Sequence, residues 1–165
     1  MIFVPDLQHR RSIRLQRFDY AQAGLYFVTI CTHQRLPLFG SVIADAMVLN
    51  AAGAIAWREW QKTAEMRPNV VQDLFVVMPN HIHGIVNVTG LQADRQHTTT
   101  LGDIIRGYKS TVTRQIAALG LNIGHAVWQR NYYEHIIRNE RSYLQIADYI
   151  KTNPLRWQDD LYHTP

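Results

Sequence analysis

Short apolar runs with a two-residue beat alternate along the chain with longer stretches that keep a helical beat. Leu25-Tyr26-Phe27-Val28-Thr29-Ile30-Cys31-Thr32 is rich in β-branched and aromatic residues and predicts a strand. Across residues 50–63, Ala54, Ile55, Trp57 and Trp60 stand among polar residues as in an amphipathic helix, which Arg67-Pro68-Asn69 ends. The apolar runs 74–78 and 81–88 are separated by Pro79-Asn80, so they predict an antiparallel hairpin. Residues 89–98 (TGLQADRQHT) read as a loop and a candidate for mobility. Residues 100–119 then predict a helix, because Ile104, Ile105, Tyr108, Val112 and Ile116 keep helical spacing. Residues 128–137 read as a further strand, with Tyr132, Tyr133, Ile136 and Ile137 supplying its bulk. Asn139 is a favourable N-cap for a last helix running to about Asn153, and Pro154 stops it. Neighbouring strands with interspersed helices predict an α+β sandwich rather than a doubly wound parallel sheet.

Composition narrows the class. A chain of 165 residues with 47% hydrophobic and 18% charged residues suits one globular domain with one core, and is far from a disordered composition. The expected organisation is a single domain, 1–165, with a basic arm at 1–23, a core at 24–154 and a tail at 155–165. No apolar stretch approaches a membrane span, and the basic N-terminus does not resemble a cleavable signal. Cys31 is the one cysteine, which excludes an intramolecular disulfide and a thiolate metal cluster and makes the cytoplasm the default location. The net charge of +4 is concentrated: Arg10, Arg11, Arg14 and Arg17 crowd the first twenty residues, and Arg106, Lys109 and Arg114 recur on the helix at 100–119. Such a distribution favours a polyanionic partner, although each charge taken alone is an ordinary solvated one.

The chemistry begins at His81-Ile82-His83. Residues two apart on a strand project to the same side, so both imidazoles can converge on one ion while Ile82 faces the opposite layer. Two neutral imidazoles leave coordination positions for a third protein ligand, water and substrate oxygens. A histidine-triad nucleotide hydrolase would need a third histidine, but that position is Ile85. On the last helix, Tyr143, Ile146, Ala147 and Ile150 form the buried stripe, and Tyr149 and Asn153, four residues apart, share one flank of it. A phenol with an ordinary pKa of about 10 is a weak nucleophile at neutral pH, and a nearby divalent cation would both favour the phenolate and polarise a phosphate. The Asn153 oxygen is then a candidate third ligand. Asn153 is equally a good terminator before Pro154, and Tyr149 is equally an amphipathic core-edge residue.

Several segments, in order along the chain, resemble a known family. Met78-Pro79-Asn80-His81-Ile82-His83-Gly84-Ile85-Val86 resembles the HUH motif of single-tyrosine transposases. Trp128-Gln129-Arg130-Asn131-Tyr132-Tyr133-Glu134-His135-Ile136-Ile137-Arg138-Asn139-Glu140 resembles their downstream signature, and Asp148-Tyr149-Ile150-Lys151-Thr152-Asn153-Pro154 their tyrosine helix. The opening strand and Gly107-Tyr108-Lys109-Ser110 also fit, so the resemblance spans nearly the whole chain and is nearest to the REP-associated tyrosine transposases. It implies a ferredoxin-like antiparallel sheet with flanking helices, and Tyr149 as nucleophile. It implies Mg²⁺ or Mn²⁺ as cofactor, held by His81, His83 and a third ligand. The implied reaction is cleavage of single-stranded DNA beside a hairpin, through a 5′-phosphotyrosine with a free 3′-hydroxyl, and rejoining without a nucleotide cofactor. The more familiar insertion-sequence members carry Gln four residues after the tyrosine, where this chain has the shorter Asn153. Relatives assemble the site within one chain or exchange the tyrosine helix in a homodimer. Arg10, Arg11, Arg14, Arg17, Arg106, Lys109 and Arg114 are the candidate DNA contacts. Two other readings stand beside this one: a hairpin-binding protein without catalysis, and a metal phosphoesterase in which water attacks.

Overall fold

The computed structural model describes residues 23–89, 99–121 and 123–163. The arginines at 10, 11, 14 and 17, and most of the predicted loop at 89–98, lie outside the described residues.

Among the described residues, six strands and three α-helices follow one another as β1 (Gly24–Cys31), β2 (Gly40–Ile43), β3 (Ala46–Leu49), α1 (Ala51–Glu65), β4 (Val70–Val77), β5 (His81–Val88), α2 (Leu101–Ala118), β6 (Tyr133–Ile137) and α3 (Glu140–Thr152). Short 3-10 turns occupy His33–Arg35 and Pro154–Asp159. Four strands form one antiparallel sheet in the order β4-β5-β1-β6, and β2 and β3 form a separate hairpin. With that hairpin set aside, β1-α1-β4-β5-α2-β6 is the ferredoxin-like arrangement, and α3 is an addition after it.

Strand parity sorts the core into two layers. Tyr26, Val28 and Ile30 of β1 join Ile82, Val86 and Val88 of β5 in a cluster with Ile55, Ala56 and Trp60 of α1 and Ile104, Ile105, Tyr108, Val112 and Ile116 of α2. Phe27 and Ile85, which point the other way, pack with Ile146 and Ile150 of α3. The sheet therefore lies between α1 and α2 on one face and α3 on the other. Each helix has a side-chain N-cap: Asn50 accepts from Gly53, Thr100 from Asp103 in a reciprocal capping box, and Asn139 from Ser142. Caps of this kind are worth roughly 1 kcal/mol each.

The expected α+β antiparallel fold and its hairpin at 74–88 are present, and the differences are local. β4 begins at Val70, earlier than the apolar run, and carries an irregularity between Gln72 and Phe75. β6 begins at Tyr133; residues 128–132 are irregular, with a bend at Arg130 and one isolated bridge from Trp128 to Thr32. The β2–β3 hairpin was not expected; its strands are four residues long and half exposed, and apolar stretches as short as Val42-Ile43 and 46–49 do not by themselves mark strands.

Gly84 shows how closely the α1 layer sits on the sheet. A methyl group there would overlap the Trp60 indole, itself fully buried. Gly84→Ala is therefore expected to lower unfolding stability by about 1–3 kcal/mol through overpacking. In a Trp60→Leu background the same change should cost less than about half as much, because contacting residues are not additive. Denaturant unfolding of the four proteins measures this; equal costs in both backgrounds would refute the contact.

Candidate active site

One end of the sheet collects the groups that carry chemistry. β5 opens at His81 opposite Cys31 of β1, and His83 stands opposite Thr29. Both imidazoles project to the α3 face, as strand parity requires, while Ile82 between them enters the α1–α2 core. Their ring centroids are 4.4 Å apart and both residues are 0% exposed. His83 Nδ1 lies 2.8 Å from the Thr29 hydroxyl, and its Nε2 lies 3.2 Å from the Tyr149 hydroxyl. His81 Nδ1 lies 2.8 Å from Asn80 Oδ1. Its buried Nε2 makes no hydrogen bond of good geometry among the described residues, although the Asn153 side chain lies close enough to act on the ring.

The predicted tyrosine helix delivers two of its residues here. Tyr149 is half-buried, with its ring 5.0 Å from that of His83 and edge-on to Phe27. Asn153 is 1% exposed, yet its side chain is not turned wholly to the histidines: Nδ2 donates to Asp160 Oδ2 at 2.6 Å. Asn153 Oδ1 is buried without a hydrogen-bond partner among the described residues.

Asp160 is the residue that the sequence did not reveal. One ligand atom each from His81, His83 and Asp160 lie within 4.8 Å of one another, a two-nitrogen, one-oxygen set that could hold a divalent metal. The Tyr149 hydroxyl is 3.5 Å from Asp160 Oδ2, and Oδ1 accepts from the Tyr162 backbone N–H at 2.7 Å. Asp160 lies in the segment read as a tail, beyond a 3-10 turn that breaks any helical register with Tyr149. No spacing rule links the two. Trp157 and Tyr162 of the same segment lie over His81, with ring centroids 6.0 and 4.6 Å away, and account for the burial of the pair.

Burial governs the electrostatics. It pushes His81 down to about 3 and His83 well below its ordinary value, so both are neutral at physiological pH and suited to ligation. The same burial raises Tyr149, with nearby Asp160 adding to the effect, and so holds the phenol protonated in the metal-free protein. Burial also raises Asp160, against hydrogen bonds that lower it. The Cys31 thiol is likewise pushed up to about 12 by burial, and is thus protonated.

Two of the three α2 cations, Arg106 and Arg114, are not brought to this site. α2 covers the opposite face of the sheet. Arg106 is exposed and pairs with Asp103 at 3.1 Å, and Arg114 is exposed. Lys109 turns toward the sheet end, where its ammonium donates to the Gln129 and Asn131 carbonyls at 2.8 and 3.0 Å; burial lowers it to about 8. His135 shares the α3 face, opposite Phe27 on β1.

An antiparallel ferredoxin-like sheet with an H-x-H pair on a central strand and a tyrosine helix across it defines the HUH nuclease fold. No family model matches the chain. An uncharacterized protein of Haemophilus influenzae is 42% identical over 94% of this chain and 94% of its own length. A second H. influenzae protein, named "Putative REP-associated tyrosine transposase", is 23% identical over 85% of this chain and 75% of its own. The solved structure of a REP-associated tyrosine transposase bound to a REP hairpin superposes with a TM-score of 0.59 at 25% identity, covering 85% of this chain and 72% of that one. In sequence and fold the chain is thus similar to REP-associated tyrosine transposases, a similarity that supports a transposase-like function.

The buried neutral pair makes stability depend on acid. Below pH 6.5 an unfolded histidine takes up a proton that the folded protein refuses until about pH 3 for His81. The contribution is thus fully present above about pH 6.5 and is lost as pH falls through that window, at roughly 1.4 kcal/mol per unit per histidine. Urea unfolding of the metal-free protein should show a loss of about 2–3 kcal/mol from His81 between pH 6.5 and 4.5, with a further loss from His83. The His83→Asn variant should show a shallower fall. An identical slope in both proteins would mean that His83 is not held neutral.

Proposed function

We propose that this protein is a metal-dependent single-strand DNA endonuclease and transposase that cleaves and rejoins DNA beside hairpins through a covalent bond to Tyr149. The observation that carries this reading is the position of the Tyr149 hydroxyl, 3.2 Å from His83 Nε2 and beside the His81–His83–Asp160 cluster. Support for hairpin DNA as the partner comes from the relative solved on a REP hairpin.

The residues present fit a divalent cation such as Mg²⁺ or Mn²⁺. The buried, unpartnered Nε2 of His81 is a lone pair in want of a Lewis acid, and an aspartate oxygen completes a donor set suited to either ion. His81, His83 and Asp160 would hold it, which assigns to Asp160 the place expected of Asn153. Asn153 instead steadies the carboxylate through its 2.6 Å hydrogen bond. When bound, the cation supplies positive charge that favours the phenolate and polarises the scissile phosphate.

Phe27 and the α3 stripe position the Tyr149 ring, and Asp160 Oδ2 is the carboxylate oxygen within reach of the phenol proton. The phenol oxygen attacks phosphorus, a phosphotyrosyl bond forms, the bond to the 3′ oxygen breaks, and that oxygen takes up a proton to leave as a free hydroxyl. Attack by a 3′-hydroxyl on the phosphotyrosine reverses the sequence and restores the DNA without an external energy source. The arginines at 10, 11, 14 and 17 are proposed to follow the phosphates of the DNA, with Arg106 and Arg114 outside the catalytic face.

One observation favours the alternative of a hairpin-binding protein without catalysis: both histidines are 0% exposed, with Trp157 and Tyr162 packed beside His81 and Tyr162 beside His83. Incubation with 5′- and 3′-labelled hairpin DNA carrying a single-stranded flank, with Mn²⁺, separates the readings on a denaturing gel. The expected result is a protein–DNA adduct that is absent in Tyr149→Phe and reduced at least about tenfold in Asp160→Ala, as for loss of a ligand or its support. Cleavage that persists in Tyr149→Phe would indicate attack by water. Hairpin retention on a native gel with no cleavage would indicate binding alone.

A further inference from the structure

The residue before the histidine pair has no role in the chemistry so far. Asn80 is 0% exposed, in the tight connection between β4 and β5, and its carboxamide meets three different parts of the chain. Its Nδ2 lies 3.0 Å from the Arg35 carbonyl and 2.7 Å from the Tyr162 carbonyl. Its Oδ1 lies 2.8 Å from His81 Nδ1.

These contacts fix protons as well as positions. Backbone carbonyls can only accept, so the side of the amide facing Arg35 and Tyr162 has to be the NH₂. The other side is then the oxygen, and an oxygen opposite an imidazole nitrogen requires that nitrogen to donate. In a neutral imidazole only one ring nitrogen carries a proton, so a proton on Nδ1 leaves Nε2 bare. That bare nitrogen is the buried, unpartnered atom of the cluster. The Thr29 hydroxyl beside His83 imposes no such choice, because a hydroxyl can donate or accept.

The partners of Nδ2 matter too. Gln34 and Arg35 both have left-handed backbone, at φ of 51° and 57°, a conformation unfavourable for residues other than glycine. Such a turn persists where its surroundings hold it. Tyr162 lies two residues after Asp160, and its N–H donates to the Asp160 carboxylate. The Arg35 guanidinium in turn donates to the Leu161 carbonyl and lies 5.2 Å over the Tyr162 ring.

We infer that Asn80 is a positioning residue of the metal site, which sets the His81 tautomer with its oxygen and fastens the Asp160-bearing segment with its nitrogen. The inference about metal rests on the function proposed above; the tautomer does not.

The test uses the full chain with Asn80→Asp and Asn80→Ala. Asn80→Asp keeps an oxygen opposite His81 and loses the donors to Arg35 and Tyr162; Asn80→Ala loses both. Nitrogen-15 NMR of the metal-free protein at pH 7 reads the tautomer, and calorimetry with MnCl₂ reads affinity. The wild type and Asn80→Asp should hold His81 with Nδ1 protonated, while Asn80→Ala mixes the two tautomers. Mn²⁺ affinity should fall about 10- to 100-fold in Asn80→Ala and clearly less in Asn80→Asp. A wild-type His81 protonated on Nε2 would overturn the inference, as would equal losses in the two variants, which mark a purely architectural role. Should Asn80→Ala fail to fold, the wild-type and Asn80→Asp tautomers still decide. A wild type with the expected tautomer and no Mn²⁺ binding would sink the metal reading and leave the tautomer assignment standing.

Discussion

Two uncharged imidazoles sealed side by side under the C-terminal segment are the constraint around which this end of the molecule is built. Buried ring nitrogens demand partners, and nearly every polar side chain nearby answers one of them: Thr29 and Tyr149 for His83, Asn80 for His81. The unanswered His81 Nε2 stands beside the Asp160 carboxylate, a combination that makes sense for a ligand and little sense for a core. Strand parity does the rest. The same two-residue period that turns both histidines toward α3 sends Ile82 into the opposite core and leaves Gly84 against Trp60.

That period is also why much of the site is legible in the sequence. His81 and His83 share a face because a strand permits nothing else, and Tyr149 and Asn153 lie one helical turn apart for a comparable reason. Local periodicity likewise locates α1, α2, α3 and the β4–β5 hairpin. It has no purchase on Asp160, which reaches the histidines after a 3-10 turn and across the whole fold. Nor could charge pattern tell that α2 covers the far face of the sheet, so that Arg106 and Arg114 lie away from the histidines, or that Lys109 is occupied by the Gln129 and Asn131 carbonyls. Long-range geometry decides these points.

Asn153 and Asp160 meet at the edge of the site. Asn153 is buried at the site as its spacing from Tyr149 predicts, but its amide nitrogen meets Asp160 at 2.6 Å. An asparagine has one methylene fewer than glutamine, and its amide nitrogen meets the carboxylate supplied from the following segment. The short side chain and the extra acidic residue make sense together, as one way to provide an anionic oxygen where an amide would otherwise extend.

Asp160 belongs to the segment whose Trp157 and Tyr162 roof the histidines. In the proposed centre, grip and access are therefore mechanically opposed. Lifting the roof far enough to admit a phosphodiester would draw away an oxygen donor, and clamping the ion with all three groups would shut the phosphodiester out. Such a protein would trade retention of its ion against admission of its substrate, and an incoming phosphate oxygen would be the natural replacement for the donor that departs.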